Sequence, residues 1–225
     1  MFVLSVIIGI GLIISYINIA SAQKTQHYEK VEQSKVTDKP SATQSGTIAV
    51  KNNFSLDNAP SESLRGMVGT ISGSIEWQSR TATQPATLDS PQQIQQGESL
   101  QTGDNGKAIV EFTQCCSIHL FSDTAIDFIQ TLPANVVIAQ TKGSAEYLVT
   151  NTIPVAIRSL HLLINSTNGD VVFTVSKTLP VISVYVKKGT MQASFNDLNY
   201  NSTVIPVTAG ETFYFNDTTR EEDIE

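Results

Sequence analysis

Basic clusters, cysteine and tryptophan are all scarce in this sequence of 225 residues. Lys and Arg number 14 against 21 Asp and Glu, for a formal net charge of −7, and charged residues make up only 16% of the chain. Phosphate contacts need clustered Lys and Arg, so nucleic acid is not an expected partner, and neither is an anionic lipid surface. No phosphate-binding glycine loop, nucleophile elbow or pair of catalytic carboxylates occurs, so an enzyme is not expected, and no cofactor or metal is expected either. Trp77 is the one tryptophan, and the only cysteines are Cys115 and Cys116, side by side.

What the chain does contain falls into blocks. Residues 2–20, FVLSVIIGIGLIISYINIA, are apolar almost throughout. About 20 apolar residues span a bilayer as a helix, so the chain is expected to meet a membrane through residues 2–20. The following Ala20-Ser21-Ala22-Gln23 reads as an A-x-A cleavage site, and residues 1–22 are therefore a membrane anchor or a signal peptide. Lys24, Lys30, Lys35 and Lys39 follow the segment and no Lys or Arg precedes it. Charge alone predicts a cytoplasmic bulk, whereas the cleavage motif predicts export; export to the periplasm or cell surface is the expectation, with secretion if the leader is cut.

Residues 23–65 are polar and aperiodic, too poor in apolar side chains to offset chain entropy, and read as a flexible linker. From Gly66 the pattern changes to short β-branched runs between turn residues. Strands are expected over 67–71, 74–77, 107–112, 117–121, 125–129, 136–140, 145–149, 159–164, 171–175, 182–187, 190–195, 204–207 and 212–215. Residues 78–96, with Pro85 and Pro91, read as a long loop. Asn105-Gly106 and Asn168-Gly169 suit type I′ hairpins, and Lys142-Gly143 and Lys188-Gly189 suit hairpin tips. Ile182, Val184 and Val186 alternate with polar neighbours, as in an antiparallel sheet with one wet face. The expected fold is all-β, an antiparallel sandwich or roll of many short strands. QGESLQT at 96–102 and AGETFYF at 209–215 share Gly-Glu-Ser/Thr-Leu/Phe, a faint internal repeat.

The order of these signals resembles the FecR-type domain. Gly97-Glu98-Ser99-Leu100-Gln101-Thr102-Gly103, then Gly106 followed by Ala108-Ile109-Val110-Glu111-Phe112, matches its G-(D/E)-x-L-x-T-G and A-x-(L/V)-x-F core. Gly143-Ser144-Ala145, the run from Val184 through Gly189 to Met191, and Val207-Thr208-Ala209-Gly210-Glu211 match its later strands, while Gly169-Asp170 stands where the family often has Gly-Thr. The resemblance covers 66–216 and leaves 217–225 as an acidic tail. It implies a single-pass protein of the cell envelope whose extracytoplasmic β domain binds another protein in signalling or regulation, here without sigma-binding or C-terminal docking regions. The alternative is a surface module, structural or adhesive, that binds glycan or cell-wall polymer. Gly97, Gly103, Gly106, Gly143, Gly169, Gly189 and Gly210 are then structural turn glycines.

The resemblance also implies that Thr113-Gln114-Cys115-Cys116-Ser117 is a turn between two strands, with the thiols outside the core. Three readings remain: incidental turn residues or free thiols, a vicinal disulfide open to reduction, and a copper or zinc site completed by His119. The spacing fits no zinc pattern, and adjacent residues of an extended chain point to opposite faces. His161 reads as a cross-strand pair or a surface residue, with no catalytic constellation of Ser and Asp or Glu apparent around it. Trp77, Tyr147, Tyr185, Tyr200 and Tyr214 read as packing residues before they read as a sugar-stacking platform.

Overall fold

Alternation with a period of two writes strands, and the lengths of those strands decide how the sheet folds. The computed structural model describes residues 62–150 and 153–225, so the segment expected to meet a membrane and most of the expected linker lie outside the described residues. Fifteen strands form: β1 (Gly66–Ser72), β2 (Ile75–Gln78), β3 (Ala86–Thr87), β4 (Gln92–Ile94), β5 (Ser99–Thr102), β6 (Lys107–Phe112), β7 (Cys116–Leu120), β8 (Ala125–Leu132), β9 (Asn135–Val149), β10 (Val155–Ser159), β11 (Leu162–Val175), β12 (Val181–Asn196), β13 (Ser202–Thr208), β14 (Thr212–Asn216) and β15 (Glu221–Ile224). The described residues are all-β, with no helix long and apolar enough to cross a membrane among them.

All the pairings join one hydrogen-bonded sheet. Its shape follows from β9, β11 and β12, each of which changes partners near its middle. The first half of β9 pairs with β8 and β10, and its second half with β7 and β11. β11 passes from β10 to β9 while staying beside β12, and β12 passes from β14 to β13. One half of the sheet thus runs β15-β14-β12-β11-β9-β7-β6-β1-β4, and the other runs β13-β12-β11-β10-β9-β8-β5-β2-β3. Phe112 of the first half meets Phe128 of the second at 5.7 Å between ring centroids, and Phe215 meets Phe195 at 4.9 Å. The inner faces share one core, which includes Ile118, Tyr147, Phe173, Val184 and Phe213 of the first half and Leu100, Ile138, Ile157, Ile164 and Ala193 of the second.

The long strands correct several expectations. Lys142-Gly143, Asn168-Gly169 and Lys188-Gly189 are not hairpin tips; each lies inside a strand that continues through it. Gly143 and Gly189 have φ of 76° and 82°, a left-handed geometry that turns a strand without ending it. A side chain at Gly189 would press into the Asn168 carbonyl, and one at Gly143 into the backbone of Asp123 and Thr124. Asn105-Gly106 forms no hairpin either, because the strands it joins pair with others: β5 with β2 and β8, and β6 with β1 and β7.

Other differences have local causes. The strand expected over 159–164 is broken at Leu160, whose φ is 49°, so β10 ends at Ser159 and β11 begins at Leu162. β10 pairs with β9 in parallel, an exception to the antiparallel expectation. The 78–96 loop contains β3 and β4, and Glu221–Ile224 of the acidic stretch pairs with β14.

Candidate functional site

The two Gly-Glu segments that look alike in sequence make the same turn. At the first, Glu98 N–H donates to Gln95 C=O at 3.3 Å while the Glu98 carboxylate accepts Gln95 N–H at 3.1 Å. At the second, Glu211 N–H donates to Thr208 C=O at 3.1 Å and the Glu211 carboxylate accepts Thr208 N–H at 2.7 Å. The preceding glycines, Gly97 and Gly210, both have positive φ. Glu98 is only 4% exposed and accepts a further bond from Trp77 Nε1 at 3.1 Å, so it anchors the 78–96 segment. Hydrogen bonding to Thr208 holds the Glu211 carboxyl below the ordinary range. Among the described residues the bonds given to both carboxylates hold turns and the Trp77 side chain in place.

Thr102 and its neighbours show why Leu-x-Thr-Gly follows. The fully buried Thr102 hydroxyl donates to Phe121 C=O at 2.6 Å and accepts Thr124 N–H at 2.9 Å. Thr124 Oγ1 in turn donates to Ser144 C=O at 2.8 Å. Gly103 closes the turn that replaces the expected hairpin, accepting the Gly106 N–H at 3.0 Å.

Cys115 and Cys116 are joined to each other, and no described cysteine is free. Both lie in the core, Cys115 fully buried and Cys116 5% exposed, and not at an exposed loop tip. The reason is the turn. Cys115 N–H donates to Phe112 C=O at 3.0 Å, so the chain has already reversed there. Cys116 then opens β7 on the inward face with Ile118 and Leu120. Thr150 clamps Cys115 C=O with its N–H and its hydroxyl, each at 2.8 Å. His119 alternates to the outer face of β7, so it cannot share a metal with the cysteines. Among the described residues no group of three or more His, Cys, Asp or Glu converges to hold a metal ion.

His119 instead belongs to a charged row across the outer face of β7, β9, β11 and β12. Its Nδ1 lies 3.3 Å from Glu146 Oε2, and Lys187 Nζ donates to Glu146 Oε1. That hydrogen bond holds the Glu146 carboxyl below its ordinary range. Asp170 is pushed the other way, first by burial and then by the Glu146 charge. Such a ladder is what opposite charges on neighbouring strands make.

The remaining residues scatter. Tyr147 is in the core, its hydroxyl donating to Gln140 Oε1 at 2.9 Å and its pKa raised by burial. That removes it from any sugar-stacking platform. Tyr185 is exposed on β12 and Tyr200 is exposed in the turn after it. His161 does have an acidic partner, Asp217, at 3.0 Å, brought across 56 positions of sequence.

Among the described residues four strands leave an edge free, and three of them are blunted. β3 and β4 have two and three residues, and β15 carries Glu221, Glu222 and Asp223. β13 has seven residues, STVIPVT, without a charge, and among the described residues pairs only with β12. Val204 on it is 59% exposed, and Leu198 and Tyr200 in the preceding turn are 66% and 87% exposed. The strand is legible in sequence; its place at an edge is not.

No known family model matches the chain. No curated protein matches it either. Two crystal structures of a protein from Parabacteroides distasonis ATCC 8503, provisionally described as an anti-sigma factor, are similar to it in part. Each has a TM-score of 0.49, with 14% and 13% identity, over 56% of this chain. The chain spans 58% of the length of each of these neighbours.

Proposed function

We propose that this chain is an anchored, extracytoplasmic β module of the FecR type, with its sheet closed into a roll, which binds a protein partner in the cell envelope and serves signalling or regulation without catalysis. The observation that carries the reading is the β13 edge. Sheet edges of monomeric proteins are normally shortened, charged or covered, because an open row of backbone donors and acceptors recruits another strand. Here three edges obey that rule, while the longest is neutral, carries exposed Val204, and is interrupted only by Pro206 near its far end. A partner that adds a strand beside β13 would pair with Ser202–Ile205 and cover Leu198 and Tyr200, a recognised mode of peptide capture. The leader at 2–20 and the linker at 23–65 support placement outside the cytoplasm on a tether.

The test is a photo-crosslinking residue at position 204 of the full chain in intact cells, with position 222 on the acidic edge as the control. A discrete protein adduct at 204 and none at 222, abolished by Ser202→Lys with the circular dichroism unchanged, is the expected outcome. Equal labelling at both positions would refute the edge as the contact. A reporter fused after Glu225 and found active only in the cytoplasm would refute the placement.

A further inference from the structure

A cavity of about 560 Å³ lies on the outer face of the second half of the sheet and reaches β12 at Asn196, whose Oδ1 accepts from the Ser202 hydroxyl of β13 at 2.8 Å. It is lined by Val137 of β9, by Ala156 of β10, which pairs with Val137, and by Leu163 of β11, which pairs with Arg158. Asn135, Asn165 and Asn196 also line it, and Arg158 and Arg220 enter from β10 and from the turn before β15. No Asp or Glu lines it. In a chain of net charge −7, this cavity is therefore cationic.

Neither arginine is committed elsewhere. No ion pair among the described residues includes Arg158 or Arg220, and Arg220 Nε is buried without a hydrogen-bond partner. A buried, unpartnered guanidinium nitrogen is costly and calls for a missing acceptor. The backbone gives a second, independent observation. Only four described non-glycine residues have positive φ, and two of them, Leu160 at 49° and Arg220 at 60°, line this one cavity. Left-handed geometry at such residues is sustained where the surroundings enforce it, often at ligand sites. Asp217 accepts from His161 N–H at 3.1 Å and lies 3.0 Å from His161 Nδ1, which ties the two turns together. Asp217 is engaged by His161, so the arginines keep their charge free for a ligand.

We infer that this cavity binds an acidic saccharide, with the sugar's carboxylate between Arg158 and Arg220 and its hydroxyls on Asn135, Asn165 and Asn196. The planar guanidinium fork fits a carboxylate with two parallel hydrogen bonds. Asn135 Oδ1 already accepts from Gln130 Nε2 and Asn196 Oδ1 from the Ser202 hydroxyl, so these two offer their amide N–H groups to a sugar's hydroxyls, while Asn165 can both donate and accept. Leu160 and Leu163 offer apolar surface to a sugar's C–H face. A peptide strand fits less well. The strands β9, β10 and β11 each have neighbours on both sides, so no backbone row is open for pairing.

The experiment titrates the purified full chain in detergent with glucuronate and galacturonate by calorimetry, with glucose, acetate and an Asp/Glu-rich peptide alongside. The expected result is saturable binding of at least one uronate, with glucose and acetate each weaker by about tenfold or more, the loss of one charged hydrogen-bonded pair or of the hydroxyl contacts. Arg158→Gln and Arg220→Gln should each weaken the uronate by about tenfold. Arg158 is exposed, so its variant folds even if the strained Arg220 turn does not tolerate change. The inference is overturned if neither uronate saturates, if acetate or glucose binds as tightly, if Arg158→Gln leaves affinity unchanged, or if the acidic peptide binds and the uronates do not. Crosslinking at position 204 reads β13 separately, so the two readings fail independently.

Discussion

Glu146 shows how one side chain can be set by neighbours far away in sequence. Its partners His119 and Lys187 sit on β7 and β12, on either side of it in the sheet. Its folded pKa lies below the ordinary 4.5. Its contribution to stability is therefore complete above 4.5 and is lost as the pH falls through the lower folded value. Asp170 has the opposite sign: its folded pKa is raised above 3.8, so its contribution is complete below 3.8 and is lost as the pH rises through the folded value. Replacing Lys187 by Met should move the Glu146 titration up toward the ordinary value and raise Asp170 further, because Lys187 lowers both. Carbon-detected NMR of the carboxyl groups reads both shifts, and an unmoved Glu146 would rule out Lys187 as the cause. The Gly-Glu turns make a related point. Four matching residues at 97–100 and 210–213 were enough to suggest a repeat, and both segments do build one hydrogen-bonded turn. That Glu98 is buried under Trp77 whereas Glu211 is not could not be read locally.

Among the elements, strand length was the feature least visible in the sequence. The runs at 136–140 and 145–149, or at 182–187 and 190–195, are separated by Lys-Gly pairs that look like hairpin tips. The chain instead continues through them, because each half finds a different neighbour with which to pair. Gly189 and Gly210 separate the two costs of replacing such a glycine. Both have positive φ, but only at Gly189 would a Cβ meet other atoms. Gly210→Ala should cost about 1 to 2 kcal/mol, the left-handed backbone term alone. Gly189→Ala should cost at least about 3 kcal/mol, since the bend between the two halves of β12 must also open. Urea unfolding of the two variants gives the difference, and equal midpoints would show that the bend at Gly189 is not constrained.

Taken whole, the molecule cannot come apart along its two sheet halves, since β9, β11 and β12 belong to both. Trp77 lies in the second half, on β2, while β14 and β15 lie in the first. Unfolding followed by Trp77 fluorescence and by far-ultraviolet circular dichroism should give coincident transitions, the mark of one cooperative unit. Two separated midpoints would mean that the halves unfold independently. The same topology places the candidate sites. β13 is an edge because β12 turns away from β14 at Gly189, and the cavity lined by Arg158 and Arg220 exists because β15's leading turn folds back to reach His161.

Alternation of apolar side chains, turn glycines and β-branched runs determined by themselves that the chain beyond Gly66 is all-β, and they located most of its strands to within a few residues. Those signals are local: a two-residue period and a left-handed turn need no distant contact. Which runs fuse into one long strand, which edge stays open, and which side chains converge were decided only by tertiary structure. Burying Cys115 and Cys116, pairing His161 with Asp217, and bringing Arg158 and Arg220 to one cavity all depend on strands distant in sequence choosing one another, a choice made by the fit of two apolar faces across a shared core.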